Sequence, residues 1–167
     1  MFNLIISIIA IALVVVLAGA SLYYGGEAFN KGSEDAKAST YVNQAQQVQA
    51  AATLFKATTG GNATSIQQLV DGKYMAGLPK VAVGADAPTA KWEIKPDGSS
   101  VFVTQKVSTS AKQGMTLNIC DTINDNGSGV VSCVDKDNKI IDMDTPAAPG
   151  SVAAVETDGS VTVSMKL

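Results

Sequence analysis

Two cysteines, Cys120 and Cys133, are the residues of this chain whose type and spacing suggest chemistry. They lie in a polar region rich in Asn, Asp and Gly, and the chain contains no His and no other Cys. Because no further residue of those types can complete a zinc site, we expect a disulfide in an oxidising compartment. The bond would close a loop of about 14 residues, worth on the order of 3 kcal/mol in the chain-entropy model. We expect it to join two paired strands, Met115–Cys120 and Val130–Val134.

The composition argues against catalysis and against nucleic acid binding. All 12 basic residues are Lys, 15 residues are acidic, and the net charge is −3. Without His or Arg the chain lacks the commonest general base and the bidentate phosphate ligand. No serine is paired with a base, and a disulfide leaves no thiol to activate. We therefore expect no enzyme activity, no cofactor and no nucleic acid partner.

The segment Asn124-Asp-Asn-Gly127 resembles part of a calcium-binding loop. The carboxylate spacing and the closing Glu of such a loop are missing. We expect an ordinary turn between Asp121 and Gly129, and no metal site, although seven Asp lie between Asp121 and Asp158.

The N-terminal segment is continuously apolar from Leu4 to Leu22, with Ser7 and Ser21 as the polar positions and no charge before Glu27. As a helix, Leu4 to Tyr24 would be about 31 Å long, the thickness of a bilayer core. It has no polar stripe, so it needs apolar surroundings on every side. Three interpretations remain open: a cleaved signal peptide, a membrane anchor, or a helix that rests in a membrane and later packs with its own copies. A signal peptide would have a small-residue site at Ala18-Gly19-Ala20 but lacks a basic residue before the apolar run.

An amphipathic helix follows at residues 27–60. We expect a soft joint at Gly19 and Gly25-Gly26, and an end at Gly60-Gly61. The predicted buried stripe is Ala38, Tyr41, Ala45, Val48, Ala52 and Phe55. The predicted opposite face is uncharged and consists of Asn43, Gln44, Gln46, Gln47 and Gln49.

The remainder, residues 61–167, is predicted to be a head with one short helix and an antiparallel sheet. Ser65 and Gln68 resemble the capping box of the short helix. Pro96-Asp97-Gly98-Ser99 predicts a turn between a strand with Trp92 and Ile94 and a strand with Val101 and Val103. A second hairpin is predicted from Val152 and Val155, through Asp158-Gly159, to Val161, Val163 and Met165. The expected fold class is α+β, with domains at 1–26, 27–60 and 61–167.

This order of parts resembles the type IV pilins and pseudopilins, and the longer type IVb pilins in particular. The resemblance covers the whole chain in architecture, and in residues it depends on Phe2-Asn3-Leu4-Ile5, on Tyr23-Tyr24 and on the cysteine pair. It implies a pilin-like fold, a leader removed by a prepilin peptidase, and partners in a pilus assembly machinery. The chain departs from the family pattern at Ile5, where a glutamate is usual, and it lacks the proline that many members have in this helix.

We therefore expect a structural subunit that polymerises through its apolar helix, first in the inner membrane and then in an extracellular filament. The residues expected to build the filament core are Leu4, Ile5, Ile8, Ala12, Val15, Gly19 and Leu22. The alternative is a membrane-anchored periplasmic or surface binding domain that does not polymerise. The uncharged helix face favours the filament subunit, because a solvated face normally carries Lys and Glu.

Overall fold

The computed structural model describes residues 2–81, 90–107, 115–135, 137, 139–141 and 159–167, and of residues 2, 24 and 27 it describes the backbone alone. Contacts within the chain group it into two compact units, Met1–Ser33 and Glu34–Leu167. We call the first the apolar unit and the second the head. Of the predicted second hairpin, Val152, Val155 and Asp158 lie outside the described residues.

Three helices and four strands follow one another along the chain. The helices are α1 (Phe2–Thr59), α2 (Ile66–Asp71) and α3 (Leu117–Asn126). The strands are β1 (Glu93–Ile94), β2 (Ser100–Lys106), β3 (Val131–Asp135) and β4 (Ser160–Lys166). The long N-terminal helix and the antiparallel sheet confirm the predicted α+β class.

The predicted helical stripe is buried in the head. Ala38, Tyr41, Ala45, Val48 and Ala52 are buried, and Phe55 is partly buried against the same core. This is the burial expected from apolar residues spaced alternately by three and four. Gly60 follows the end of α1 with a φ of 76°, a conformation that favours glycine.

The sheet is antiparallel with the strand order β1-β2-β4-β3. Val101 lies opposite Met165 and Val103 opposite Val163, so the inward residues of the two central strands meet in register. All four of these side chains are buried. Alternation of apolar and polar residues therefore specifies the face that packs on the core.

Local turn and cap chemistry agrees with the sequence. Ser65 is the N-cap of α2, where its hydroxyl accepts a hydrogen bond from the Gln68 backbone N–H at 3.4 Å. At the β1–β2 turn the Asp97 carboxylate accepts one from the Ser99 N–H at 2.9 Å. This bond lowers the pKa of Asp97.

The predicted strand Met115–Cys120 is wrong, because α3 occupies residues 117–126. Thr116 caps this helix by accepting a hydrogen bond from the Ile119 N–H at 3.2 Å. Ile119, Cys120 and Ile123 then share one buried helical face. The predicted turn from Asp121 to Gly129 is consequently helical as far as Asn126. A short apolar run fits both periods, and here burial on a helical face decides between them.

Candidate assembly helix and disulfide

In the apolar unit, the residues from Asn3 to Gly32 whose side chains the structure describes are exposed on every side of the helix. Its most apolar stretch has a mean hydropathy of 2.9 and no buried residue, and α1 is long and apolar enough to cross a membrane. Among the large predicted core residues, the exposed fraction runs from 53% at Ile5 to 79% at Leu22.

The two serines of this helix are compatible with an apolar environment. Ser7 Oγ donates a hydrogen bond to the Asn3 carbonyl oxygen and Ser21 Oγ to that of Leu17, each at 2.8 Å. Hydroxyls bonded in this way do not need water. The two serines therefore do not give the helix a polar stripe.

Helical geometry brings the seven predicted core residues to one side of α1. At 3.6 residues per turn, they fall within a sector of about 100°. Four large residues spaced by seven form a column that we call the ridge: Ile8, Val15, Leu22 and Phe29. Beside the ridge lies a second column with the same spacing, in which every residue after the first is small. We call it the small column: Ile5, Ala12, Gly19 and Gly26.

Phe29 is not among the residues expected in the filament core. It is 78% exposed and continues the ridge beyond Tyr24. Its seven-residue spacing from Leu22 continues the heptad spacing of the ridge. Leu4 lies on the other flank of the ridge.

Two of the five residues assigned to the uncharged face of α1 instead make hydrogen bonds to other parts of the head. Gln44 Nε2 donates to the Lys80 carbonyl oxygen at 2.8 Å, and Trp92 Nε1 donates to Gln44 Oε1 at 2.8 Å. Gln49 Nε2 donates to the Lys166 carbonyl oxygen at 3.0 Å. Gln44 and Gln49 flank the buried stripe closely enough to reach backbone carbonyls of the head, so their placement on the opposite face was wrong.

The remaining face is exposed and uncharged. From Ala38 to Phe55 the chain contains no charged residue. The exposed positions of this segment, which we call the uncharged face, are Ser39, Thr40, Asn43, Gln46, Gln47, Ala50, Thr53 and Leu54. Thr40 and Thr53 donate their hydroxyl hydrogen bonds to carbonyl oxygens one turn back. Beside this face lies an open groove of about 410 Å³, lined among others by Ala50, Leu54 and Met75.

The predicted disulfide between Cys120 and Cys133 is confirmed. The two Cα atoms are 5.4 Å apart, within the bridging range. The bond joins α3 to β3 rather than one strand to another, which corrects the expected strand pairing. Both cysteines are fully buried in the core.

The side chain of Asn124 links α3 to β3 a second time, through hydrogen bonds. Its Nδ2 donates to the carbonyl oxygens of Cys133 at 3.0 Å and of Ile141 at 2.5 Å, and its Oδ1 accepts from the Cys133 N–H at 2.6 Å. The Asn124-Asp-Asn-Gly127 segment is therefore engaged in holding the strand. Within the described residues, no group of three His, Cys, Asp or Glu side chains lies close enough to hold a metal ion.

Comparisons of the chain with protein-family models, with curated proteins and with solved structures find no match.

Proposed function

We propose that this chain is the structural subunit of an extracellular, type IV pilus-like filament, in which the apolar unit packs against the same segment of other copies. The observation that carries the proposal is the exposure of that unit on every side. A helix of this kind needs lipid or other apolar helices around it.

The ridge and the small column favour other copies of the chain as the final surroundings. Residues spaced by seven keep one face toward a partner helix in a left-handed supercoil. Small residues such as Ala12, Gly19 and Gly26 let two helix backbones approach closely. No neighbouring atom lies within 4 Å of a Cβ placed at Gly19 or Gly26, so space for a partner side chain is open there. The ridge of one copy thus has a matching groove on the next.

Moving the apolar helix from lipid into a filament must yield only a small net gain in free energy. Burying a large apolar side chain is worth about 1.5–3 kcal/mol relative to water, but lipid already provides most of that. Helix packing in apolar surroundings therefore depends on close fit. The subunit can accordingly be stored in the inner membrane and later move into a filament, through an assembly machinery and a prepilin peptidase that the resemblance implies.

The head supports an extracytoplasmic destination and close packing. Its buried disulfide suits an oxidising compartment. Its uncharged face suits contact with other polypeptide, because a face kept in water normally carries charges. The alternative is a membrane-anchored periplasmic or surface domain that does not polymerise, and such a domain has no need of this face.

Cysteine crosslinking in membranes tests the self-contact. Val15→Cys, on the ridge, is expected to give covalent dimers of the full chain on oxidation. Val14→Cys is the matched control, because it has the same residue type and depth but lies about 100° around the helix. Equal crosslinking of the two variants would contradict a specific helix face.

Negative-stain electron microscopy of material sheared from the cell surface tests the filament itself. We expect thin filaments that contain this chain. Sheared material without filaments, together with chain retained in the membrane fraction, would favour the anchored domain.

A further inference from the structure

Glu34 is the first residue of the head and a buried carboxylate. Its exposed fraction is 8%. Oε1 accepts a hydrogen bond from the Thr116 hydroxyl at 3.3 Å, and Oε2 accepts one from Asn118 Nδ2 at 3.3 Å. Both donors are neutral and lie more than 80 residues further along the chain.

These donors belong to the first turn of α3. Thr116 is the N-cap, so one hydroxyl both accepts from the Ile119 N–H and donates to Glu34. A negative charge is favoured at this end of a helix, where backbone N–H groups lack helical partners. Burial of the Glu34 charge is thereby compensated by directed donors.

The turn of α1 that contains Glu34 has no other buried side chain. Asp35 and Lys37 are partly exposed and Ala36 is exposed, while the next buried residue is Ala38. Gly32, two residues earlier, weakens the helix locally. In the part of the chain that the structure describes, the hydrogen bonds of Glu34 join this turn of α1 to the first turn of α3.

We propose that Glu34 is a latch: its hydrogen bonds to Thr116 and Asn118 set the residue at which α1 begins to pack against the rest of the head. When the hydrogen bonds of Glu34 are formed, α1 packs against the rest of the head from Glu34 onward. When they are broken, the packing begins one turn later, at Ala38, and the first turn of α3 loses its contact with α1. The latch is a conformational device of the head and is independent of whether the chain polymerises.

Hydrogen–deuterium exchange on the full chain in detergent micelles tests the latch. In Glu34→Ala, exchange at residues 34–38 and 117–120 is expected to rise by about tenfold or more, since hydrogen bonds to a charged group contribute about 1.5–3 kcal/mol. Exchange in β2 and β4 is expected to stay unchanged. Asp35→Ala is the matched control, because it removes the same charge from the same turn at a partly exposed position.

Two further variants separate a latch from general loss of stability. Asn118→Ala removes one donor and is expected to raise exchange in the same two segments. In the double variant, the rise in exchange should be smaller than the sum of the two separate rises. The reason is that Glu34→Ala already removes the hydrogen bond that Asn118→Ala removes. Unchanged exchange at residues 34–38 in Glu34→Ala, an equal rise in Asp35→Ala, or additive effects in the double variant would each overturn the proposal.

Discussion

Asn124 connects three backbone groups of the β3 region through a single side chain. Its amide nitrogen faces two carbonyl oxygens, and its amide oxygen faces one N–H. The side chain therefore cannot be rotated or replaced by a carboxylate without opposing like groups.

We predict that Asn124→Asp lowers the free energy of unfolding of the head by about 1–3 kcal/mol, because an acceptor replaces the donor toward Cys133 and Ile141. Fluorescence of the buried Trp92 during denaturant unfolding measures the effect. Asp125→Asn, at the exposed neighbouring position, should change the stability by less than about 0.5 kcal/mol. Equal stability of both variants would show that the hydrogen bonds of Asn124 contribute nothing to the free energy of unfolding.

Residue 127, between α3 and β3, must be a glycine because there is no room for a side chain. A Cβ there would lie 2.6 Å from the Ile123 carbonyl oxygen and closer still to that of Val131. Both are backbone atoms that cannot move aside without distorting α3 or β3.

We predict that Gly127→Ala destabilises the head by about 1–3 kcal/mol, the usual cost of overpacking. Gly77→Ala is the control, because a Cβ there meets no atom within 4 Å. A melting temperature of Gly127→Ala equal to that of the control would contradict the close packing of Gly127 against the carbonyl oxygens of Ile123 and Val131.

At the scale of elements, the disulfide contributes by fixing α3 to β3. Replacing both cysteines, Cys120→Ala with Cys133→Ala, should lower the free energy of unfolding by about 3 kcal/mol for a loop of this length. Urea unfolding of the double variant measures this loss. Stability equal to that of the unchanged chain would mean that Asn124 and the core hold α3 by themselves.

The elements predictable from sequence are those whose period is long and unambiguous. The stripe from Ala38 to Phe55 and the alternation in β2 and β4 were read from spacing, because one face of each is buried. α3 was missed since its apolar residues are few and its cap, Thr116, follows an apolar residue that suggested a strand. The roles of Glu34, Asn124, Gln44 and Gln49 depend on partners distant in the chain, which spacing does not reveal.

At the scale of the whole molecule, the apolar unit and the head differ in where their apolar side chains lie. The core lies within Glu34–Leu167, while the apolar unit contributes exposed side chains. Deleting Met1–Gly26 should therefore leave a soluble, monomeric head. Sedimentation velocity checks this, and aggregation as strong as that of the full chain would place the boundary elsewhere.

We propose the apolar helix as the core of a filament, and a charge placed within it tests this role. Ala12→Lys places a charge in the small column, where neither lipid nor a partner helix can solvate it cheaply. Ala57→Lys is the matched control, with the same change at an exposed position of α1 in the head.

Electron microscopy of sheared surface material from cells expressing each variant is the most direct measurement, with folding of the head followed by Trp92 fluorescence. We predict filaments for the unchanged chain and for Ala57→Lys, and none for Ala12→Lys, with the head folded in all three. Normal filaments formed by Ala12→Lys would contradict the claim, because a buried core could not accommodate that charge.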